Sequence, residues 1–466
     1  MNIKQSNSKH IYILGAGPAG LASAYTLTKQ DESVVVVDKD SQVGGLSKSI
    51  VYQGFILDYG AHYLCTSPQP VLELFNEILG SNKVNINTLI RVYWRKKFLS
   101  YPPKIHELLS VLSWEEIIKV ISSYLQAKIY PNASIENYHE QLSSRFGKYL
   151  FEIFFKDYIE KVWGISGKQI SANAVARVTT NLFEKYLNIF IQLIHNWFTS
   201  KSFTSNVSSN QVLYPKKGSG QFYKGIAHYI CSQNQQVLLD TEVVQVKHNS
   251  FLINELVLKN LHTGPEEAHK CRGVISSIPI NLLLQKLSPS PPERILNLVK
   301  YLKFRNTILA YLIIEGNQIF PEHSLYINDK SVQVVRVTNF ANWSPDILPN
   351  CYQTPLCCEY WCDFNESIWQ LSDQEILVQA EQELREIGLL AQQTVSSGFV
   401  VRLARTHPIY TVNYQTALLE IQDYLKQFQN LQIVGRGGSF SYFDQDMVLL
   451  MGMSSAKDLL NSLKAL

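Results

Sequence analysis

Residues 11–49 read IYILGAGPAGLASAYTLTKQDESVVVVDKDSQVGGLSKS. The run IYIL predicts a β-strand, residues 21–29 a helix, and residues 33–38 a second, fully buried strand. The glycines of GAGPAG, residues 15–20, allow a tight turn, close approach of the backbone to a pyrophosphate, and packing of helix against strand. The positive end of the helix then faces the pyrophosphate. This order predicts a βαβ dinucleotide-binding unit.

The residues after the second strand indicate which dinucleotide is bound. Asp38 ends that strand about 20 residues after the glycine turn, where a carboxylate can accept hydrogen bonds from ribose hydroxyls. Gly44 and Gly45 give a second turn of exposed backbone, which NAD-binding units do not need. We therefore predict FAD. The predicted cofactor-binding residues in this segment are Gly15, Gly17, Ala19, Gly20, Asp38, Lys39, Gly44, Gly45, Leu46 and Ser47.

The end of the chain carries a similar pattern. A predicted strand at 431–434 is followed by a glycine turn at 435–438, by Asp446, placed to bond ribityl hydroxyls, and by a predicted helix from about Gly452. The nucleotide domain is therefore expected to be assembled from both ends of the chain. Further predicted cofactor-binding residues are Val243, Gly435, Arg436, Asp446 and Met447.

Between the two ends the periodicity changes twice. Ser113 and Glu116 predict a capping box in a helical block that runs to about residue 198, and residues 199–211 predict a loop, either lid or linker. Strands follow from about 237, including one predicted over 332–338, and Ser372 with Glu375 predicts a helix that stops at Gly388. We predict an α/β fold with a Rossmann-type FAD-binding domain (1–90, 211–290 and 426–466), a helical insertion domain (91–210) and an antiparallel-sheet substrate domain (291–425).

Composition excludes several classes of protein. The formal charge of +3 in 466 residues gives no global field for nucleic acid. The apolar run 186–198 is shorter than a bilayer requires, so no transmembrane segment is expected. Seven cysteines without a secretory signal predict reduced thiols and a cytoplasmic protein. Cys351, Cys357, Cys358 and Cys362 lack a C-x-x-C pair, which favours core packing over zinc, and we predict no metal site.

Nine blocks of the sequence carry a resemblance to a known family. They are GAGPAG (15–20), VGGLSKS (43–49), LDYGAHYL (57–64), WRKKFLSYPP (94–103), KVWGIS (161–166), YPKKGSGQF (214–222), VISSIP (274–279), VVRVTNFANWSP (334–345) and GRGGSFSYFDQD (435–446). In this order the chain resembles UDP-galactopyranose mutases, particularly the eukaryotic-type branch, and more distantly the amine oxidase and protoporphyrinogen oxidase flavoproteins.

The resemblance implies a function and a set of site residues. In such mutases the reduced flavin attacks the anomeric carbon of a nucleoside-diphosphate sugar, and the sugar recloses with another ring size. Cations and hydroxyls are needed where the departing diphosphate develops charge. The implied catalytic residues are His62, Arg177 and Arg336, and the implied substrate-binding residues are Trp163, Arg177, Tyr326, Arg336, His407 and Tyr442, with His62 also near the flavin.

The chain also departs from the family pattern. Pro103 and Lys104 replace an amide after Tyr-Pro, and Ile159 replaces an Asn four residues before the tryptophan, which leaves the identity of the nucleotide open. His407 replaces a phosphate-contacting Tyr, and Asp444 stands where the family usually has Asn. A histidine can still donate a hydrogen bond.

Three functions remain open from the sequence. The first is a mutase acting on a small-molecule nucleotide sugar, with NAD(P)H as a conceivable reductant and a homo-oligomer as a conceivable assembly. The second is an FAD-dependent oxidase or dehydrogenase of the amine oxidase or protoporphyrinogen oxidase type, which would need an apolar pocket without two arginines. The third is a flavin-binding protein without catalysis, which retention of Arg177, Arg336, Tyr326 and Tyr442 disfavours.

Overall fold

The computed structural model describes residues 10–64, 68–101, 107–108, 110–131, 134–173, 211–317 and 319–466. Their strands are β1 (His10–Leu14), β2 (Val34–Val37), β3 (Ser49–Tyr52), β4 (Phe55–Asp58), β5 (Lys83–Asn87), β6 (Ile90–Trp94), β7 (Lys97–Ser100), β8 (Gln211–Pro215), β9 (Gln236–Leu238), β10 (Thr241–Asn249), β11 (Leu252–Asn260), β12 (Glu266–Ser276), β13 (Leu287–Ser288), β14 (Lys303–Glu315), β15 (Ser324–Ile327), β16 (Arg336–Asn339), β17 (Gln353–Cys362), β18 (Val395–Ile409) and β19 (Leu431–Ile433).

The helices lie between these strands. They are α1 (Pro18–Thr28), α2 (Gln69–Leu79), α3 (Trp114–Ile129), α4 (Tyr138–Phe146), α5 (Lys148–Leu150), α6 (Lys156–Trp163), α7 (Ser219–Ser232), α8 (Ile280–Lys286), α9 (Glu293–Leu298), α10 (Ser367–Gln370), α11 (Asp373–Glu386), α12 (Tyr414–Leu425), α13 (Gly435–Gly438) and α14 (Gln445–Ala465). A π-helix, Phe151–Phe155, joins α5 to α6.

The first large sheet is built around the βαβ unit. β1 pairs in parallel with β2 on one side and with β12 on the other, and β9 extends the sheet beyond β2. Alternate residues of β1 enter two different apolar clusters, because both faces of this parallel sheet are covered. The dinucleotide fold is confirmed. α1 begins at Pro18 instead of the predicted Leu21, since the fixed φ of proline suits the first helical turn.

Both ends of the chain contribute to this sheet, as predicted. β12 pairs with β11 in its first half and with β19 in its second half, and α14 packs on α1. α14 begins at Gln445 and not near the predicted Gly452. Gly452 lies inside the helix where the backbone of α1 passes, because a Cβ added there would be 2.2 Å from the carbonyl oxygen of Ala19.

The second large sheet has the order β18–β14–β17–β16–β15–β6–β7. Its neighbouring strands are antiparallel except for β15 and β6, which run parallel. β16 begins at Arg336, whereas the sequence predicted a strand over 332–338. The backbone of Val334 bonds to side chains of two helices instead, whereas Val335 still bonds to the backbone of Ile327 and Glu359 in the neighbouring strands.

The local signals of the middle and late segments are confirmed where the structure describes them. Capping boxes at Ser113 and Ser372 begin α3 and α11, and Gly388, with φ +76°, follows the end of α11. Cys357, Cys358 and Cys362 are buried along β17, whereas Cys351 is exposed. The apolar run 186–198 and most of the predicted loop, 199–210, lie outside the described residues, and the predicted domain boundaries stay predictions.

Among the described residues, no helix combines the length and the apolar character that crossing a bilayer requires.

Candidate active site

Two glycine turns pack against each other beyond the carboxyl ends of β1 and β2. A Cβ added at Gly45 would lie 3.1 Å from the Cα of Gly17, and the Gly44 N–H donates to the Ala16 carbonyl at 2.8 Å. Gly15 has φ +103°, and a Cβ there would lie 2.2 Å from the Oγ of Ser277. Glycine is therefore required sterically at this turn. The remaining predicted residues of the second turn, Leu46 and Ser47, form a 3-10 turn with Gly45.

The start of α1 fits an anion. Its N-cap, Gly17, provides no side-chain cap, and the first turn holds no acidic residue. No side chain of the helix start therefore competes with an anion for the N–H groups of this turn. A Cβ at Gly20 would lie 1.9 Å from the Gly15 carbonyl oxygen, so the third glycine lets the helix sit directly on the turn.

Asp38 lies at the end of β2 next to these turns. Its Oδ2 accepts the Ala16 N–H at 2.6 Å, and its Oδ1 accepts the Asp40 N–H at 2.8 Å. Burial raises the pKa of Asp38. Each carboxylate oxygen keeps a further lone pair for a ribose hydroxyl. Lys39 is exposed, whereas Lys48, which the sequence did not single out, is buried and pairs with Asp40.

The C-terminal segment closes the same region. A Cβ at Gly435 would lie 3.4 Å from the Cβ of Ala19, so the segment touches the start of α1. Arg436 donates to the Phe443 carbonyl at 3.0 Å. Asp446 and Met447 lie in the first turn of α14. Val243 is buried in β10, which begins where the Thr241 N–H donates to the Asp38 carbonyl.

A cross-strand row forms the centre of the predicted anion site. Tyr326, Arg336 and Glu359 lie side by side on β15, β16 and β17. Nε and Nη2 of Arg336 donate to the two carboxylate oxygens of Glu359 at 2.7 and 2.8 Å, and the guanidinium carbon lies 6.0 Å from the ring centroid of Tyr326. The Glu359 side chain is 3% exposed and the Arg336 side chain 21%. Glu359 thus holds the arginine by one edge and leaves part of it accessible.

The His62 loop lies over this ion pair. A Cβ at Gly60, which has φ +82°, would be 3.3 Å from Nη2 of Arg336 and 3.1 Å from Oε1 of Glu359. Nδ1 of His62 lies 3.1 Å from the Gly60 carbonyl oxygen, which can only accept, so Nδ1 carries the proton. Burial, and then the positive charges of Arg436 and Arg336, lower the pKa of His62 to about 4. The imidazole is therefore neutral near pH 7, with Nε2 as an acceptor.

Three predicted residues, His407, Arg436 and Tyr442, form a stack together with Trp361. The ring of His407 lies 4.2 Å from that of Trp361 and 5.5 Å from that of Tyr442, and the guanidinium of Arg436 lies 4.6 Å from the Tyr442 ring centroid. Burial, followed by the charges of Arg436 and Arg336, lowers the pKa of His407 well below its usual value. His407 is therefore a neutral ring in the stack.

The helix α6 completes the surroundings. Tyr158, which the sequence analysis missed, interacts electrostatically with Tyr326, Arg336 and Tyr442. Trp163 is buried, with its ring 6.0 Å from that of Tyr410, whose hydroxyl accepts the Tyr442 N–H at 2.6 Å.

The structure thus brings His62, Tyr326, Arg336, His407, Arg436 and Tyr442 together, whereas Arg177 and Lys104 lie outside the described residues. Glu359 was also missed, because only strand register pairs it with Arg336. Tyr158 could have been found from the sequence, because it lies just before the KVWGIS block that carries the resemblance. The roles of these residues stay predictions.

Comparison with known proteins identifies the family. The family described as flavin containing amine oxidoreductase matches residues 18–459. The chain belongs to this family. The probable UDP-galactopyranose mutase of Klebsiella pneumoniae is 26% identical to this chain over 191 residues, 39% of this chain and 48% of that protein. Protoporphyrinogen oxidase 2 of Arabidopsis thaliana is 22% identical over 269 residues, 53% of this chain and 52% of that protein.

The matches to these curated relatives span about half of each relative's length. A crystal structure of reduced UDP-galactopyranose mutase superposes with a TM-score of 0.81 at 18% identity and covers 97% of this chain and 94% of that one. The fold is therefore shared across this length, and the predicted fold class is confirmed.

Membership of the family implies FAD, and the described residues fit it. The paired glycine turns would hold the pyrophosphate, Asp38 the adenosine ribose, and the segment from Gly435 to Asp446 the far half of the molecule. Arg336 and His62 both lie against Gly60, Arg336 beside its Cα and His62 at its carbonyl oxygen.

Proposed function

We propose that this chain is an FAD-dependent nucleotide-sugar mutase that interconverts pyranose and furanose forms of a nucleoside-diphosphate sugar. When bound and reduced, FAD would supply the nucleophile for the anomeric carbon. The observation that carries the proposal is the partly accessible guanidinium of Arg336, held along one edge by Glu359, with Tyr326 beside it and with Tyr158 and Tyr442 close enough to interact with it electrostatically. Such a group of donors suits a diphosphate that leaves as an anion.

Each residue of the candidate site would have its own role in binding the substrate or the cofactor. Arg336 and the tyrosines would bind the diphosphate, together with Arg177 by family resemblance. Neutral His62 would accept a hydrogen bond at Nε2 from a sugar hydroxyl or from the cofactor ring. Trp163 and its neighbour Tyr410 would support the wall that carries Tyr442. Because the nucleotide-reading positions differ from the mutase pattern, the base of the substrate is best determined by titration.

The test uses purified protein with bound flavin, reduced by dithionite or NAD(P)H and incubated with UDP-galactopyranose or UDP-galactofuranose. Chromatography should resolve interconversion with the reduced protein and none with the oxidised protein. Arg336→Ala should lower turnover by at least tenfold and keep flavin content. Arg402→Ala, which removes a partly exposed arginine from β18 of the same sheet, is the matched control. A reduced, flavin-loaded protein without any interconversion of UDP, GDP or TDP sugars contradicts the proposal.

One observation favours a second candidate, an FAD-dependent oxidase or dehydrogenase. Glu359 already balances the charge of Arg336, and stacked rings of Trp361, His407 and Tyr442 line its surroundings. A site of this kind can take an apolar substrate. Oxygen uptake with an amine or a porphyrinogen, in the absence of sugar interconversion, would support this candidate instead.

A further inference from the structure

The connection between β15 and β16 is held from one side by Lys161 of α6. The ammonium nitrogen donates to the carbonyl oxygens of Ile327, Asp329 and Val334 at 3.2, 2.6 and 3.1 Å. An ammonium group has three N–H donors, and all three are used here. Lys161 therefore binds both ends of the connection, at Ile327 and at Val334, and draws them toward α6.

Glu383 of α11 holds the same connection from the other side. Its carboxylate oxygens accept the N–H groups of Gln333 and Val334 at 2.9 and 2.8 Å, and the hydroxyl of Tyr360 at 3.2 Å. The N–H of Val334 thus points to a buried carboxylate, while its carbonyl points to an ammonium. Charged partners make both hydrogen bonds stronger than neutral ones.

Arg336 follows Val334 by two residues and begins β16. The helix that carries Lys161 also carries Tyr158, which interacts electrostatically with Arg336. The apolar residues Ile159 and Val162 attach α6 to the core separately, so Lys161 is not needed for that attachment. The three hydrogen bonds of Lys161 instead fix the position of the connection between β15 and β16.

We propose that Lys161 is a positioning residue, which fixes Arg336 relative to Tyr158 by holding residues 327–334 against α6 and Glu383. The part of the proposal that concerns nucleotide affinity rests on the proposed function. The part that concerns the connection does not.

The neighbourhood of Lys161 allows a conservative replacement. Lys161 lines a cavity of about 320 Å³ together with Gly164, Arg305, Lys330 and Trp361. The cavity gives room for the larger guanidinium of Lys161→Arg, which keeps the charge and the donors. Lys161→Met removes both and keeps the length of the side chain. Lys330→Met, at an exposed lysine of the same cavity, is the matched control.

The first measurement is the dissociation constant of UDP from the flavin-loaded protein, followed by flavin fluorescence. Lys161→Met should weaken binding about tenfold, Lys161→Arg should restore it to within about threefold of wild type, and Lys330→Met should leave it unchanged, all with full flavin content. A purely structural role would not discriminate between Met and Arg in this way. UDP binding to Lys161→Met at wild-type strength overturns the proposal.

The second measurement is hydrogen–deuterium exchange, which needs no nucleotide. Amides of residues 327–335 should exchange at least tenfold faster in Lys161→Met than in wild type or Lys330→Met. Should wild-type protein bind none of UDP, GDP and TDP, the proposed function fails, and the exchange comparison alone decides the role of Lys161. Unchanged exchange overturns it.

The third measurement covers the case in which Lys161→Met does not fold. Glu383→Gln acts on the same amide from the opposite side, so it should also weaken UDP binding and speed exchange at Val334. If Lys161→Met does fold, the double variant should lose less affinity than the product of the two single losses, because both act through Val334. Unchanged binding and exchange in Glu383→Gln, or fully multiplicative losses, would contradict the proposal.

Discussion

At the scale of single residues, the site depends on charges whose partners come from other strands. Arg336 is held by Glu359, which is 3% exposed, and the pair lies below the Gly60 backbone. A buried carboxylate of this kind costs free energy to desolvate, and its bidentate bonds to arginine offset that cost. Removing one member leaves the other without compensation.

We therefore expect Glu359→Gln to lower the free energy of unfolding by about 3–5 kcal/mol, the range for breaking a buried pair at one partner. Urea denaturation monitored by tryptophan fluorescence measures this. The control is Glu255→Gln, which breaks a partly exposed pair with Lys247 and should change the free energy by less than about 1 kcal/mol. Equal effects of the two substitutions would show that the Arg336–Glu359 pair contributes no more than a surface pair.

A second buried carboxylate, Asp58, anchors the start of the His62 loop. It is fully buried and accepts hydrogen bonds from Ser49 Oγ at 2.5 Å, from the hydroxyl of Tyr214 at 2.7 Å and from the Ser219 N–H at 2.9 Å. Burial raises the pKa of Asp58 to about 6, against the hydrogen bonds, which lower it. The loop therefore begins at a group that titrates in a mildly acidic range.

This shift predicts a pH dependence of stability. Since the folded-state pKa of about 6 lies above the unfolded value, the folded protein binds a proton between about pH 4 and 6 that the unfolded chain has released. The contribution of Asp58 to stability falls as pH rises through this window, by about 3 kcal/mol. The difference in unfolding free energy between wild type and Asp58→Asn should therefore be smaller at pH 7 than at pH 4. The exposed Asp458→Asn should show no such trend, and a constant difference for Asp58→Asn would refute the assignment.

At the scale of elements, close contact between α1 and α14 determines how the first glycine turn is supported. The Ser23 hydroxyl donates to the Gly452 carbonyl at 2.9 Å, and a Cβ at Gly452 would lie 2.2 Å from the Ala19 carbonyl oxygen. The obstacle is backbone, which cannot move aside as a flexible side chain can. The two helices can approach this closely only with glycine at the crossing.

Gly452→Ala should therefore push α14 away from α1 and destabilise the protein by about 1–3 kcal/mol, as overpacked cores are. Flavin content should fall as well, because Ala19 belongs to the turn that would hold the pyrophosphate. Thermal unfolding and the flavin-to-protein absorbance ratio measure both effects. Ser454→Ala, an exposed position on the same helix, should change neither. Full flavin content and an unchanged melting temperature in Gly452→Ala would contradict the tight crossing.

At the scale of the whole molecule, the nucleotide-binding sheet is closed by the last segment of the chain. β19 pairs with β12, and α14 covers α1 with apolar residues that include Leu449, Ala456 and Leu459. A chain that ends at residue 430 would expose this apolar surface and lose a strand of the sheet. We expect such a truncation to yield insoluble protein or protein without flavin, as judged by size-exclusion chromatography and absorbance. Removal of residues 465–466 alone should be tolerated. Flavin uptake by the chain ending at 430 would show that the two ends are independent.

Some residues of the site could be predicted from local sequence spacing, some only from resemblance, and some not at all. The glycine turns, Asp38, and the capping boxes of α3 and α11 follow from local spacing, and the structure confirms their placement. Arg336 and Tyr326 came from resemblance, since nothing local marks them. Glu359 and Lys161 were missed because each acts on a partner more than 20 residues away in sequence, through strand register or backbone carbonyls.

The sequence by itself determined the dinucleotide fold, the second glycine turn and the use of both chain ends, because backbone conformation at glycine and the periodicity of buried strands are local properties. Only the tertiary structure decided which charged groups pair with each other and which backbone groups they bind. Arg336 pairs with Glu359 because their strands are neighbours. Lys161 and Glu383 bond to the backbone of Val334 because their helices pack beside it. Electrostatic and hydrogen-bond energies depend on distance in space and are independent of separation along the chain.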